Sequence, residues 1–420
     1  MKNLNFKSIC AFFALVTMSL SAFAQDMSAQ GGGKGPQIIP GQYIVKMKAN
    51  DADLASTSAS STERPGDDNA GVSAADNEIK MKRVKNLSKV QTVQARGGVQ
   101  KGSVIHEYSN AMVGFSAKLN DAQVKKLRQD PEVEGVYPDY LITLSPMTQE
   151  QNPSAAGQVT PCGITTSGGF ADGSAKATWI WILDTGIDLD HPDLNVQTSA
   201  TYAKSFIAGQ TVEDGHGHGT HCAGSAAARN NGFGVVGVSA GAKVVPIKVL
   251  DNSGSGSFSA LIAGLNHVMS KKIAGDVVSM SLGAYPVGNC ENSNPVLRDV
   301  IRALGNAGVW VAMAAGNDYN AANGTQQNLP GCINGNRVFT IGSITCQKTC
   351  SSFSNFGVGT DYVAVGSSVY STYKNGGYAT MSGTSMATPT VAGVLHARNA
   401  APASAGTVNC GGRIYTIAKR

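Results

Sequence analysis

The sequence predicts an α/β protein: a doubly wound, mostly parallel sheet with helices on both faces, preceded by a small α+β module. Three observations predict it. From about Thr178 onward, short segments that are apolar on both faces and bounded by Gly or Asp recur as TWIWILD, VVPIKVLD, DVVSMSLG, VWVAMAAGN and RVFTIGSI, the composition of strands covered on both sides. Between them lie stretches with apolar residues at helical spacing, Phe258, Leu261, Ile262, Leu265, Val268 and Met269 in one and Val296, Leu297, Val300, Ile301 and Leu304 in another. Upstream of about residue 150 the chain is more charged and its elements alternate differently. Strands alternating with helices at this spacing argue for a doubly wound domain, whose ligand chemistry belongs at the C-terminal ends of the strands.

Taken in order, Lys2 and Lys7 precede an apolar run, Ile9 to Leu20, and Ala22-Phe23-Ala24 offers small residues for a signal peptidase. Residues 1–24 read as an export signal cut after about Ala24, because a span wants roughly 20 apolar residues. Cys10 opens the apolar run instead of following it, so no lipid attachment is expected there. No other segment reads as a membrane span. A net charge of +5, with charged residues at 15% and no block of like charge, gives no sign of nucleic acid or an anionic membrane as partner.

Residues 25–150 form the expected α+β module. Its elements are a strand at Gln42–Lys48, a helix near Glu78–Ala95, a strand at Ala111–Leu119, a helix capped by Asn120 and a last strand, VEGVYPD. An insert at about 50–77, rich in Ser, Ala and Asp, has no apolar period and reads as a disordered loop. Residues 151–420 form the α/β domain, and the short tail, with one residue after Lys419, suggests no further module.

The chain has eight cysteines, and export would pair most of the seven beyond the leader. Cys222 follows His221 in a small-residue, apolar stretch and is expected to stay free and buried. The others are assigned as Cys346 to Cys350, Cys290 to Cys332 and Cys162 to Cys410.

Strand TWIWIL ends at Asp184 and strand VWVAMAA leads to Asn317, which puts both polar residues on the predicted active edge. Further on, Ser385 in GTSMATP opens a helix whose first amides have no partner inside the helix. Pro389 sits near that first turn, where a missing N–H matters least. The stretch DGHGHGTHCAG holds His216, His218 and His221. A zinc cage fits it poorly, because the helical form spaces two histidines four apart around a Glu. Here His218 and His221 are three apart, glycines interrupt the run and no Glu stands between them. Asp, His and Ser, each in a Gly-rich turn that lets backbone approach a substrate, favour nucleophilic catalysis. A metal-dependent hydrolase and an inert binding protein remain the rivals.

DTGID, HGTHCAG and GTSMATP, in that order and with AAGN between the last two, resemble the three active-site signatures of the subtilisin-like serine peptidases. Residues from about Pro40 to Asp139, with YIVKM, NAMVGFSAKL and VEGVYPD, resemble that family's inhibitory propeptide. The resemblance implies a serine endopeptidase made as a self-processing zymogen, with extended polypeptides as substrates and its own propeptide as intramolecular inhibitor. It implies His218 as general base, Asp184 as its orienting carboxylate, Ser385 as nucleophile and Asn317 as the oxyanion donor. His221 would face the packed side, and His216 would lie in a solvent-exposed loop.

The same resemblance implies two edges for a bound peptide. One is Gly254, Ser255 and Gly256, with Phe258 bordering an outer apolar pocket. The other is Ser281, Leu282 and Gly283, and Ala314, Ala315 and Gly316 would wall the primary pocket. It further implies a structural calcium held by Gln158, Asp193 and Asn231 and by the carbonyls of Arg229, Phe233 and Val235, six oxygens within calcium's usual range. The precursor would be cut between about Leu144 and Gln158. A secreted, monomeric enzyme, periplasmic in transit or extracellular, is the expected product.

Overall fold

Every residue of the strand Ile180–Asp184 is buried. Trp181 and Leu183 enter one apolar cluster while Ile180 and Ile182 enter another, because successive side chains of a strand point to opposite faces. The same division runs through the sheet, so both faces need a cover. In this computed structural model the helices Phe258–Lys271 and Pro295–Asn306 supply one. His218–Ala227 and Thr384–Arg398 supply the other. The structure describes residues 37–50, 54, 74–144, 149–152, 157–285, 290–319 and 328–420. The expected export signal and most of the insert lie outside them.

The main sheet runs, edge to edge, Ala403–Cys410, Arg413–Lys419, Tyr362–Val365, Val338–Ile344, Trp310–Ala314, Val277–Met280, Ile180–Asp184, Lys243–Lys248 and Asn195–Val196, with Lys204–Ser205 also paired to Lys243–Lys248. Its pairs are parallel except for the terminal hairpin, Ala403–Cys410 against Arg413–Lys419. Ile180–Asp184 has the next long strand on one side and Val277–Met280 on the other, so the winding reverses beside it. Asp184 therefore ends the strand at the reversal, where a crevice forms. The hairpins Ala403–Cys410/Arg413–Lys419 and Val369–Tyr373/Gly377–Met381 and the strand Val104–Ser109 were not foreseen.

The N-terminal module consists of Ile38–Met47, Ala74–Gly97, Val104–Ser109, Val113–Lys118, Asp121–Arg128 and Val133–Thr143. Its long helix starts at Ala74, inside the range read as a disordered insert. Asn120 caps the second helix in a full capping box with Gln123, each side chain bonding the other's backbone N–H. The four strands join a fifth from the α/β domain: Ser255, Gly256 and Ser257 pair antiparallel with Thr143, Ile142 and Leu141. Asp139, buried, accepts from the backbone N of Ser259 at 3.1 Å and from Gln42 Nε2 at 2.6 Å. A carboxylate of the module thus stands at the N-terminus of Phe258–Lys271, where the helix dipole favours negative charge. On the same helix Asn266 Oδ1 accepts from the backbone N of Asn110 (3.0 Å) and Ala111 (2.8 Å), and Lys46 reaches Asp299 on the next helix at 2.7 Å.

The disulfide assignment needs correction. Cys162 pairs with Cys346 and Cys350 with Cys410, so neither Cys346–Cys350 nor Cys162–Cys410 forms. Thr345 and Thr349 close a turn between Cys346 and Cys350, with backbone N to O at 2.8 Å and a left-handed Lys348. Its flanking thiols address different neighbours, the helix Cys162–Thr166 and the edge strand that ends in Cys410. Cys332 is disulfide-bonded; its expected partner, Cys290, has its side chain outside the described residues. Cys222 is free and buried, as expected.

The junction carries a titratable group. His106 of the module meets Phe206 of the α/β domain edge-on, ring centroids 5.9 Å apart. Burial, and then the Lys204 cation, pushes its imidazole down to about 4. A histidine whose docked pKa is depressed stabilises docking above its ordinary value near 6.5, and that contribution is lost as pH falls from there toward 4. The full difference is about 3 kcal/mol. Burial raises the Asp139 carboxyl, which acts in the opposite sense, so a paired comparison isolates the imidazole. In full-length Ser385→Ala chain, the thermal midpoint is expected to fall relative to that of the His106→Phe variant as pH drops from 6.5 to 4. Parallel curves would contradict this.

Candidate active site

Asp184 ends its strand with its carbonyl held by the backbone N of Val249 (2.9 Å) and Leu250 (3.1 Å). Its Oδ1 accepts from its neighbour Thr185 N and contacts His218 Nδ1, both at 2.7 Å. Asp184 and His218 are fully buried, which strengthens a charge-assisted bond. The bond assigns the proton to Nδ1 and leaves Nε2 as the acceptor. That Nε2 is buried and has no protein partner.

Ser385 lies at the start of Thr384–Arg398 and is 7% exposed. The helices carrying Ser385 and His218 pack together: Cys222, four residues on from His218, places its Sγ 3.5 Å from the carbonyl of Ser385. Ser281 Oγ donates to the same carbonyl at 2.8 Å, and Ser385 Oγ donates to Ser281 O at 3.2 Å. The serine hydroxyl is thus parked on a carbonyl, while the imidazole nitrogen that would take its proton is free. Hydrogen bonds of this kind commonly tighten only with substrate bound.

Asn317 follows Gly316, whose φ of +99° suits glycine. Its Oδ1 accepts from both the backbone N and the Oγ1 of Thr384, each at 2.8 Å. With the oxygen tied to the first residue of the helix that carries Ser385, the amide's N–H2 end is its donor. This is the donor arrangement that a developing oxyanion needs. Thr384 was missed from sequence; its place next to Ser385 was the available signal.

The three histidines do not converge. His216 and His218 have ring centroids 6.3 Å apart, while His221 Nε2 sits 3.0 Å from Val369 O and 3.1 Å from Ala379 O. Burial, then the neighbouring His218, pushes the His221 imidazole down to about 3, so it serves as a neutral tie to the hairpin. His216 is half-buried instead of exposed, because Asp214 and Tyr373 bind its backbone at 3.0 and 2.8 Å. Among the described residues the group whose ligand atoms gather is Asp184, His218 and Cys222, within 4.8 Å of one another. Burial pushes the Cys222 thiol well up, which makes it a neutral packing group.

One of the two expected edges carries a paired strand. The module's last strand lies on Ser255–Ser257, and Leu144 N bonds Gly254 O at 3.0 Å. Phe258 is buried and meets Tyr140 edge-on at 6.0 Å, with Ile142 in the same cluster. Among the described residues no pairing of this strand with Ser281, Leu282 or Gly283 is present. Ala314, Ala315 and Gly316 are buried, and Asn328 Nδ2 bonds Ala314 O at 2.8 Å. A Cβ on Gly283 would collide with Asn328, and one on Gly316 would collide first with Asn355 Nδ2, so Asn328 takes the space that Gly283 leaves. Sequence reading missed it because the surrounding NGTQQNLPGCINGN has no regular period. Beyond the groove, Gln149 pairs with Met381, four residues before Ser385.

The residues expected to hold calcium are neighbours in the fold. Gln158 Oε1 accepts from Asn231 N (2.8 Å) and Gly232 N (2.9 Å), Asn231 Nδ2 lies 3.0 Å from Asp193 Oδ1, and Val235 N lies 2.9 Å from Asp193 Oδ2. Val159 bridges to Val235, Phe233 N bonds Asn231 Oδ1 at 3.3 Å, and Arg229 N bonds Asp193 O at 2.9 Å. Asp193 is fully buried, and among the described residues no Lys or Arg bonds its carboxylate. A buried carboxylate without a cation is a fitting place for one, and turning the Asn231 amide would present its oxygen.

Residues 175–405 match the subtilase family and residues 42–145 match peptidase inhibitor I9. A cuticle-degrading protease of Metarhizium anisopliae is 37% identical over 296 residues, 68% of this chain and 71% of that protein. Subtilisin E of Bacillus subtilis is 34% identical over 395 residues, 92% of this chain and 86% of its own. A solved structure described as a cold-adapted subtilisin-like serine proteinase is 33% identical, covering 54% of this chain and 76% of that one, with a TM-score of 0.45.

Thr384→Val removes the hydroxyl that holds Asn317 Oδ1 and leaves the backbone bond. Steady-state kinetics should show kcat reduced roughly tenfold with KM little changed, as expected when a transition-state donor is loosened. An unchanged kcat would refute this role.

Proposed function

The chain belongs to the subtilase family, and on that premise we propose that this serine endopeptidase is exported as a zymogen, cuts itself free of its N-terminal module, and hydrolyses polypeptides through an acyl-enzyme on Ser385. The observation that carries this reading is the path of the chain. The module's last strand pairs with Ser255–Ser257 as an extended peptide would, and the chain reappears at Gln149 opposite Met381, four residues before Ser385 in sequence. Main-chain pairing of this kind supplies affinity without demanding side chains, as strand addition does generally.

In the proposed sequence Ser385 Oγ leaves the Ser281 carbonyl, gives its proton to His218 Nε2 and attacks the carbonyl carbon. Asp184 holds the imidazole in the productive tautomer and stabilises the imidazolium. The Asn317 amide and the Ser385 backbone N–H receive the oxyanion. His218 then returns the proton to the departing amine, and a water repeats the steps to release the acyl group. The cut falls between about Leu144 and Gln158. The module stays bound as product, an inhibitor held by the strand pairing and by the Asp139, Asn266 and Lys46 contacts. The signal-like leader supports secretion, and a monomer is the proposed state.

A structural calcium held by Gln158, Asp193, Asn231 and the Arg229, Phe233 and Val235 carbonyls completes the proposal. The ion would offset the buried Asp193 charge and tie the segment at Gln158 to the loop at Asn231.

Two experiments test this reading. Expressed Ser385→Ala chain should accumulate as intact precursor on a gel, whereas wild type yields a mature chain beginning after the proposed cut. A normally processed mutant would refute self-cleavage. Chelation should lower the thermal midpoint of the mature enzyme by roughly 5–10 °C before activity is lost, and Asp193→Asn should abolish the shift. Immediate loss of activity without a stability change would favour the metallohydrolase instead.

A further inference from the structure

We propose that Asp214 and Lys248, two buried groups of opposite charge anchored on Thr185, are positioning residues that set both the geometry and the working pH of the Asp184–His218 pair. The inference rests on His218 being the base. Thr185 follows Asp184 directly, and each of its polar atoms is engaged. Its N–H donates to Asp184 Oδ1 at 2.7 Å, and its Oγ1 donates to Asp214 Oδ1 at 2.8 Å while accepting from Gly219 N at 3.0 Å. Its carbonyl accepts from Lys248 Nζ. One residue thereby connects the strand that carries the carboxylate, the helix that carries the imidazole, and both outer charges.

Asp214 is 3% exposed and receives four further donors, from the N–H groups of His216 (3.0 Å), Gly217 (2.8 Å) and Thr220 (2.9 Å) and the hydroxyl of Thr220 (2.6 Å). These residues lie on both sides of His218 in the chain, so the carboxylate shapes the turn from which the imidazole projects. Gly217 there has a φ of +104°. Lys248 is the register partner of Asp184 on the adjacent strand and is fully buried. Among the described residues it bonds, besides Thr185, a neutral oxygen, Asn252 Oδ1 at 2.9 Å. Burial lowers its pKa, while Asp214 first and Asp184 next favour its charged form. Neither outer residue bonds His218, so each acts through Thr185, through the turn and through its charge.

Among the described residues the other titratable groups of this region are Asp184 on its strand, His216 on the preceding loop, and His221 and Cys222 on the helix of His218, with Glu213 and Asp251 acting on Lys248, and Lys374, which acts on His216 and whose Nζ binds Gly215 O at 2.6 Å. Set beside these, Asp214 and Lys248 are the buried pair of opposite sign that shares Thr185 with the catalytic carboxylate. A buried negative charge favours the imidazolium and a buried positive charge opposes it. The two therefore shift the acid limb of activity in opposite directions.

The test is the pH dependence of kcat/KM on a short chromogenic peptide. Asp214→Asn should move the acid limb to lower pH and Lys248→Gln to higher pH, each by roughly half a unit to one unit. The double variant should return close to wild type. Thr185→Val, which changes no charge, should lower kcat about tenfold and leave the limb in place. Where a variant does not mature, the same directions are read in full-length Ser385→Ala chain by following the low-field proton of His218 Nδ1 through a pH titration. Limbs that stay put, or that move the same way in both single variants, would overturn the inference and leave the two residues merely structural. A His218→Ala control that kept its activity would instead overturn the reading of the site itself.

Discussion

The bond between Asp184 and His218 is the constraint on which the rest depends. It joins the end of a central strand to the first turn of a helix on one face of the sheet, and both partners are inaccessible to water. Such a contact is short and strong only if the elements bearing it are fixed independently. The strand is fixed by neighbours on both sides and by alternating apolar contacts above and below. The helix is fixed by packing against Thr384–Arg398 and by His221, whose ring holds two carbonyls of the hairpin beyond. An imidazole placed this way presents one nitrogen to a carboxylate and keeps the other, buried, without a protein partner.

The N-terminal module exploits the same frame from outside. It covers the outer faces of two helices, completes the cap of one of them and extends its last strand into the groove. That strand pairs through its main chain, while Ile44, Tyr108, Ala111 and Met112 of the module join the apolar cluster of the covered helices. A single segment of chain can thus be read as substrate, product and inhibitor according to how much of the surrounding contact survives.

Much of this was legible in the sequence, for physical reasons. Covered strands betray themselves by apolar runs, and helices packed on one side by their spacing, so the fold class and both long helices could be read. Asp184, His218, Asn317 and Ser385 stood out because each sits in a glycine-bearing turn at a strand or helix end. What could not be read depended on side chains meeting across long separations. Cys346 and Cys350, four apart, suggested a local bond, yet a tight turn gives each a different partner. Asn328 looks like any polar loop residue until Gly283 is seen to leave room for it. Lys248 reads as the polar end of an apolar strand, and only the register against Asp184 shows that its ammonium is buried beside the catalytic carboxylate.

The central claim is that Ser385 is a nucleophile activated by His218. It is tested most directly by treating the mature enzyme with a fluorophosphonate and locating the adduct by peptide mass mapping, at a series of pH values. The account requires a single adduct on Ser385, formed at a rate that rises as the imidazole loses its proton and that collapses in His218→Ala. An adduct on another residue, or labelling of Ser385 indifferent to His218, would contradict it.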